Sequence, residues 1–130
     1  MPTRISHVGI AVHQLGQALP FYREVLGLEP VPLDDSDGAK IAGLAVGDSL
    51  VELLEANRPE SPIAKFVSKR GPGIHHICFS VDDLTETLAR CRSHGVRLID
   101  ETPRRGADGK LIAFLHPSST GGVLVELTET

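Results

Sequence analysis

Residues 74–84 read IHHICFSVDDL, and residues 5–15 read ISHVGIAVHQL. Laid over each other at an offset of 69 residues, the two runs place His76 on His7 and His75 on Ser6, and both end in Leu ahead of a helical pattern. A second correspondence lies downstream: GDSLVELLE (47–55) matches GGVLVELTE (121–129), with LVEL at 50–53 and again at 124–127. Between these, KIAGLAV (40–46) parallels KLIAFLH (110–116). The chain is therefore written twice, as modules of roughly 4–55 and 73–129.

Each module predicts the same elements. A strand comes first, RISHVGIAV or GIHHICFSV. An amphipathic helix follows. In the first module QLGQALPFYREVLG carries Leu15, Leu19, Tyr22 and Leu26 at helical spacing, with Pro20 expected near the first turn. In the second, DLTETLARCRSHG carries Leu84, Leu88 and Cys91 on one stripe. Asp83 and Glu86 form a capping-box pattern there, and Gly95 marks the stop. Further strands are expected around 28–33, 40–46 and 49–55, mirrored at 96–101, 110–116 and 122–128. SPIAKFVSKRG (61–71) predicts a connecting helix capped by Ser61, with Pro62 at its first position and Gly71 at its end. The fold class is α+β, two tandem βαβββ modules in a single domain spanning 1–130.

The opening strands also decide which histidine matters. Successive side chains of a strand point to opposite faces. His7 shares a face with Gly9 and Ala11, and His76 shares one with Cys78 and Ser80. The other faces carry Val8, Ile10 and Val12, and Ile77, Phe79 and Val81, and are expected under the helices. The histidine faces are thus lined by small residues, which leave a cleft on the inner face of a curved sheet. Glu52 and Glu126 stand inside otherwise apolar strands, each in LVEL. A carboxylate placed so is costly unless solvated, paired or bound to a metal. Two imidazoles and two carboxylates form a mixed N/O set for one divalent ion, Co²⁺, Mn²⁺, Zn²⁺ or Ni²⁺, and octahedral coordination leaves two positions open. The candidate ligands are His7, Glu52, His76 and Glu126. His13, His75, His94 and His116 have no such pairing and are expected to be structural.

Composition excludes other classes. The net charge is −4, and aromatic residues make up 4% with no Trp, so neither the basic footprint nor the stacking platforms of a nucleic-acid binder are present. MPTRISHVGIAV is too short and polar for a signal peptide or membrane span, so a cytoplasmic protein without membrane contact is expected. Cys78 and Cys91 lack CxxC spacing and are expected to be small, unpaired thiols in a reducing compartment.

At these residues the sequence resembles the vicinal oxygen chelate superfamily of glyoxalases, extradiol dioxygenases and antibiotic-resistance proteins, over nearly the whole chain. ISHVGIAV, FYREVLGL, VELLEA, SPIAKFVSKRGPGIHHICFSVDD and KLIAFLHPSSTGGVLVEL are similar to the epimerases of that superfamily that act on methylmalonyl-CoA. The resemblance implies a metal-containing cleft with ligands at His7, Glu52, His76 and Glu126. It implies an isomerase that interconverts (2R)- and (2S)-methylmalonyl-CoA through a metal-stabilised enolate, working as a homodimer on a small acyl-CoA substrate. Some such epimerases use a Glu base on the strand before the second ligand, a position that falls on Ile41 here, and they have Gln where this chain has Glu52. Glu52 and Glu126 are therefore the expected catalytic bases. Lys65, Lys69, Arg70, Arg104, Arg105 and Lys110 are the candidate contacts for CoA phosphates. The same His-Glu-His-Glu set serves lactoylglutathione lyase, the competing activity. A ligand-sequestering resistance protein of the same fold would not need all four ligands.

Overall fold

A computed structural model describes residues 2–130. The chain forms two compact units, one of His7–His75 and one of residues 2–6 with His76–Thr130. Both boundaries fall inside a strand: β1 (Pro2–Val12) divides after Ser6, and β5 (Gly73–Val81) divides after His75.

In the unit His7–His75, β1 from His7 onward runs parallel to β4 (Ser49–Ala56). β4 pairs antiparallel with β3 (Ala39–Val46), and β3 with the short β2 (Glu29–Val31). Helix α1 (Leu15–Pro20) packs on β4, and its first turn is anchored by Glu55, whose carboxylate accepts the Leu15 N–H at 2.8 Å. That carboxylate replaces a side-chain cap, since Gln14 provides none. Pro20 ends this helix rather than starting it. Its missing N–H interrupts the bonding ladder, and Phe21–Val25 continues as a π-turn in which the Leu26 N–H reaches back to the Phe21 carbonyl at 3.0 Å. The widened turn shifts the helical phase. Leu15, Leu19 and Tyr22 are half-buried, whereas Leu26, expected on the same stripe, is 53% exposed.

Helix α2 (Pro62–Arg70) is built as its sequence predicts: Ser61 Oγ accepts the Ala64 N–H at 3.1 Å, Pro62 opens it, and Gly71 ends it at φ 75°. It packs Ile63, Phe66 and Val67 against Ala11, Leu54, Ala56, Ala39 and Ile41. By strand alternation Ala11 lies on the His7 face of β1, and Leu54 on the Glu52 face of β4. The connecting helix thus covers one end of the histidine face, although the patterning assigned helices only to the opposite faces.

In the second unit, the part of β5 from His76 pairs parallel with β8 (Val125–Glu129). β8 pairs antiparallel with β7 (Leu111–Leu115), which carries the two-residue β6 (Arg104–Arg105). Helix α3 (Leu84–Ser93) starts at Asp83, whose carboxylate accepts the Glu86 N–H at 3.0 Å. Leu84 and Leu88 pack with Val81, Ala113, Leu115 and Leu127, and with Phe79 and Cys91 around them. These strand residues lie on the face opposite His76, as the alternation predicts.

The strand expected at 96–101 does not form. Leu98 makes one isolated bridge to Leu115, and the N–H groups of Ile99 and Asp100 both turn to the Phe114 carbonyl. The Asp100 carboxylate accepts the Phe114 N–H at 2.8 Å, a hydrogen bond that a regular strand would make with its backbone. Regular pairing resumes only after Pro103, at β6. Among the described residues no helix is long and apolar enough to cross a membrane.

Candidate metal centre and active site

Within the unit His7–His75, the β1–β4 register sets Gly9 beside Glu52. His7 stands two residues earlier on the same face, and Gly9 has no side chain to separate them. His7 Nδ1 lies 3.2 Å from Glu52 Oε2. The other unit repeats this with different residues. The β5–β8 register sets Cys78 beside Glu126, His76 stands two residues earlier, and His76 Nε2 lies 3.0 Å from Glu126 Oε1. The repeat seen in sequence is thus a repeat of geometry: histidine, one residue between, then a small residue opposite the glutamate.

All four side chains are buried, with exposures of 7% for His7, 6% for Glu52, 5% for His76 and 5% for Glu126. No buried side-chain nitrogen or oxygen among the described residues lacks a hydrogen-bond partner. Each unit therefore contains an imidazole–carboxylate pair shielded from water, in the ligand types that borderline divalent ions take. The donor chemistry fits such an ion, because a buried carboxylate is costly unless its charge is offset, and imidazole nitrogen and carboxylate oxygen are both donors to such ions.

The antiparallel neighbours of the two glutamates differ, and here the repeat breaks. Gly43 on β3 lies opposite Glu52, and Phe114 on β7 lies opposite Glu126. The Phe114 ring meets His76 edge-to-face with centroids 5.6 Å apart. The Arg104 guanidinium stacks on the same ring at 5.6 Å and is held by Asp100 at 3.0 Å. Phe114 and Gly43 were not singled out in the sequence. Their signal was the aligned pair KIAGLAV and KLIAFLH, but reading them as neighbours of the glutamates needs the strand register.

The remaining histidines are placed otherwise. His75 packs edge-to-face on Phe66 at 5.0 Å. His116 Nδ1 accepts the Ser118 N–H at 3.0 Å, capping the 3₁₀ turn Pro117–Ser119. His94 ends α3, and His13 is exposed. Of the candidate phosphate contacts, Arg70 lies over Phe66 at 5.7 Å, Arg104 is engaged by Asp100, and Arg105 donates to the Gly109 carbonyl at 2.8 Å. Both cysteines are free, Cys78 buried and Cys91 half-buried.

Comparison with known proteins gives this geometry a family. The profile of the glyoxalase/bleomycin resistance protein/dioxygenase superfamily matches residues 6–114. Methylmalonyl-CoA epimerase of Bos taurus is 40% identical over 97% of this chain and 74% of its own. The chain belongs to the methylmalonyl-CoA epimerase family of that superfamily. Bacillus subtilis YqjC, an uncharacterised protein, is 42% identical over 97% of this chain and 91% of its own. An ethylmalonyl-CoA/methylmalonyl-CoA epimerase of Cereibacter sphaeroides is 39% identical over 97% of both chains. Among solved structures, methylmalonyl-CoA epimerase from Mycobacterium tuberculosis superposes with a TM-score of 0.94 at 42% identity, covering 98% of this chain and 88% of that one. A variant of the Streptomyces coelicolor epimerase in complex with 2-nitronate-propionyl-CoA superposes with a TM-score of 0.93 at 38% identity, covering 100% and 96%. The fold is thus the vicinal oxygen chelate fold of these epimerases, in the α+β class expected from the repeat.

Proposed function

We propose that the protein is a methylmalonyl-CoA epimerase that interconverts the 2R and 2S epimers, with one divalent ion held by His7, Glu52, His76 and Glu126. The observation that carries the reading is the recurrence of a buried His–Glu pair in both units, in a chain 38–40% identical over 97% of its length to the epimerases of Bos taurus, Mus musculus, Dictyostelium discoideum and Cereibacter sphaeroides. Co²⁺, Mn²⁺, Zn²⁺ and Ni²⁺ all suit the ligand set.

The chemical problem is a weakly acidic C–H between a thioester and a carboxylate. When bound, the ion supplies Lewis acidity that offsets the negative charge developing on the substrate oxygens. The residues do the rest. Inversion needs a proton taken from one face of the α-carbon and returned to the other, hence two proton carriers. Glu52 and Glu126 are carboxylates at equivalent positions of the two modules, and they fill both roles. Ile41 has no proton to move, and Lys40 points to the opposite face of β3. His7 and His76 would hold the ion and, through their contacts with the carboxylates, orient them. Burial keeps water away from the carbanion-like species.

The same reading treats residues 1–130 as one domain, with a homodimer acting in the cytoplasm on a small acyl-CoA. Apolar side chains left exposed after α1, Phe21 at 52% and Val25 at 73%, support self-association.

The decisive experiment is proton NMR of methylmalonyl-CoA in D₂O with the protein and each metal in turn. Loss of the α-proton signal through deuterium entry is the expected result. No exchange with any metal, together with isomerisation of the methylglyoxal–glutathione hemithioacetal, would overturn the reading in favour of lactoylglutathione lyase.

A further inference from the structure

The place beside Glu52 that a β3 side chain would normally occupy belongs instead to a loop residue. Gly43 is the cross-strand partner of Glu52. A Cβ built on Gly43 would lie 2.6 Å from Leu33 Cδ1, 3.0 Å from Leu33 Cγ and 3.0 Å from the Val31 carbonyl oxygen. Leu33 therefore lies over Gly43, on the Glu52 face of the sheet. In the other unit the equivalent place, opposite Glu126, is filled by the ring of Phe114 on the strand itself. One position is built into a strand, and the other is filled from the segment 32–38.

That segment is tied down at its far end. Asp35 Oδ1 accepts the Ile41 N–H at 3.1 Å. β2 ends at Val31, opposite Gly43, so the carboxylate takes a donor that the strand no longer reaches. Asp37 and Gly38 close a tight turn with φ of 54° and 78°, and the Ala39 N–H bonds the Ser36 carbonyl at 3.0 Å. The Gly38 carbonyl then accepts the Asn57 N–H at 3.0 Å. Leu33 itself is half-buried. On its β3 side, Glu52 thus faces an aliphatic wall of Leu33, with Ile41 two residues along on the same face.

We propose that Leu33 is a specificity-determining residue that sets how large an α-substituent a 2-alkylmalonyl thioester can carry. The proposal rests on the epimerase reading. A proton carrier must approach the α-carbon closely, so the alkyl group on that carbon lies against whatever flanks Glu52. A methyl group fits beside a leucine that already fills the space over Gly43. A longer group must displace it.

The test compares wild type, Leu33→Ala and Leu33→Phe on methylmalonyl-CoA and ethylmalonyl-CoA, with metal content and Tm recorded for each. Leu33→Ala is expected to raise the ethyl-to-methyl ratio of kcat/KM by about tenfold, the effect of one methylene in an apolar pocket, and Leu33→Phe to lower it. Calorimetric affinities for butyryl-CoA against propionyl-CoA should shift in the same directions. Ratios unchanged within about twofold in active Leu33 variants would overturn the role of Leu33 and leave the epimerase reading standing. A wild-type protein that neither exchanges the α-proton of these thioesters nor binds them would overturn both.

Discussion

Glu52 and Glu126 are one residue type at one repeat position, and both are buried against a histidine. A single strand segment holding a lone Glu carries no such message, because an isolated strand carboxylate is ordinarily solvated at an edge. The repeat made the pair legible, and it also separated His76 from its neighbour: His7 aligns with 76, and 75 falls on Ser6. What the sequence hid is the asymmetry around the two carboxylates, Gly43 against Phe114, since cross-strand partners depend on register and not on spacing along the chain. If Glu52 is ligand and base as proposed, exchanging it for Gln keeps an oxygen that can coordinate but removes the group that would accept a proton. Glu52→Gln should therefore retain its metal while turnover falls by on the order of a hundredfold or more. Metal analysis alongside deuterium exchange started from each epimer separately checks this, with one epimer losing exchange more severely than the other. Near-full activity in that variant would reduce Glu52 to a ligand. Cys91 offers a second residue-level test away from the site. Burial pushes its thiol above the ordinary range, and Arg90 and Arg92 pull it only partly back. A raised value means less thiolate at neutral pH, so alkylation by iodoacetamide should be slow at pH 7 and still accelerating past pH 8.5, where an ordinary cysteine of pKa about 8.5 is half converted. A rate that levels off below pH 8 in peptide-resolved mass spectrometry would contradict this.

At the level of elements, the sequence was most readable where a cap and an apolar stripe agree. Ser61 and Pro62 begin α2, Gly71 ends it, and Asp83 begins α3 over the stripe of Leu84 and Leu88, all with the hydrogen bonds their types imply. It was least readable where a side chain substitutes for backbone pairing. Asp100 takes the Phe114 N–H and dissolves the strand expected at 96–101, and Glu55 caps α1 from a distant strand. Neither contact leaves a local pattern. Pro20 gave a correct warning with the wrong address: a proline is poorly tolerated inside a helix, and the chain answers with a π-turn that turns Leu26 outward. The Asp83 cap is the cleanest element to perturb, because its carboxylate serves α3 and lies outside the candidate site. Asp83→Ala should cost about 1 kcal/mol. For a domain of this size that corresponds to a fall in Tm of about 4 °C. Metal content and activity should be untouched. An unchanged Tm in thermal denaturation would show that the packing of Leu84 and Leu88 alone holds the helix start.

For the molecule as a whole, the repeat poses a stoichiometric question: two His–Glu pairs, one in each compact unit, and either one ion or two. Two donors rarely hold a borderline ion alone, whereas four donors with two open positions make a site that binds and still admits substrate. One ion per chain is the expected count. It follows that His7→Ala and His76→Ala, in different units, should each abolish binding, and that the double variant should be no worse than either single one, since groups acting on one ion are not additive. His75→Ala is the control, its ring packing on Phe66, and it should keep the ion. Thermal stability reports the same event independently of turnover. An ion that binds only the folded chain, present at about a hundred times its Kd, adds about 2.7 kcal/mol, so a chelator should lower the Tm of wild type and of His75→Ala while leaving both ligand variants where they are. Elemental analysis then decides between the alternatives. Two ions in the wild type and one in each single variant would mean that each unit binds its own, and the four-ligand centre would have to be abandoned.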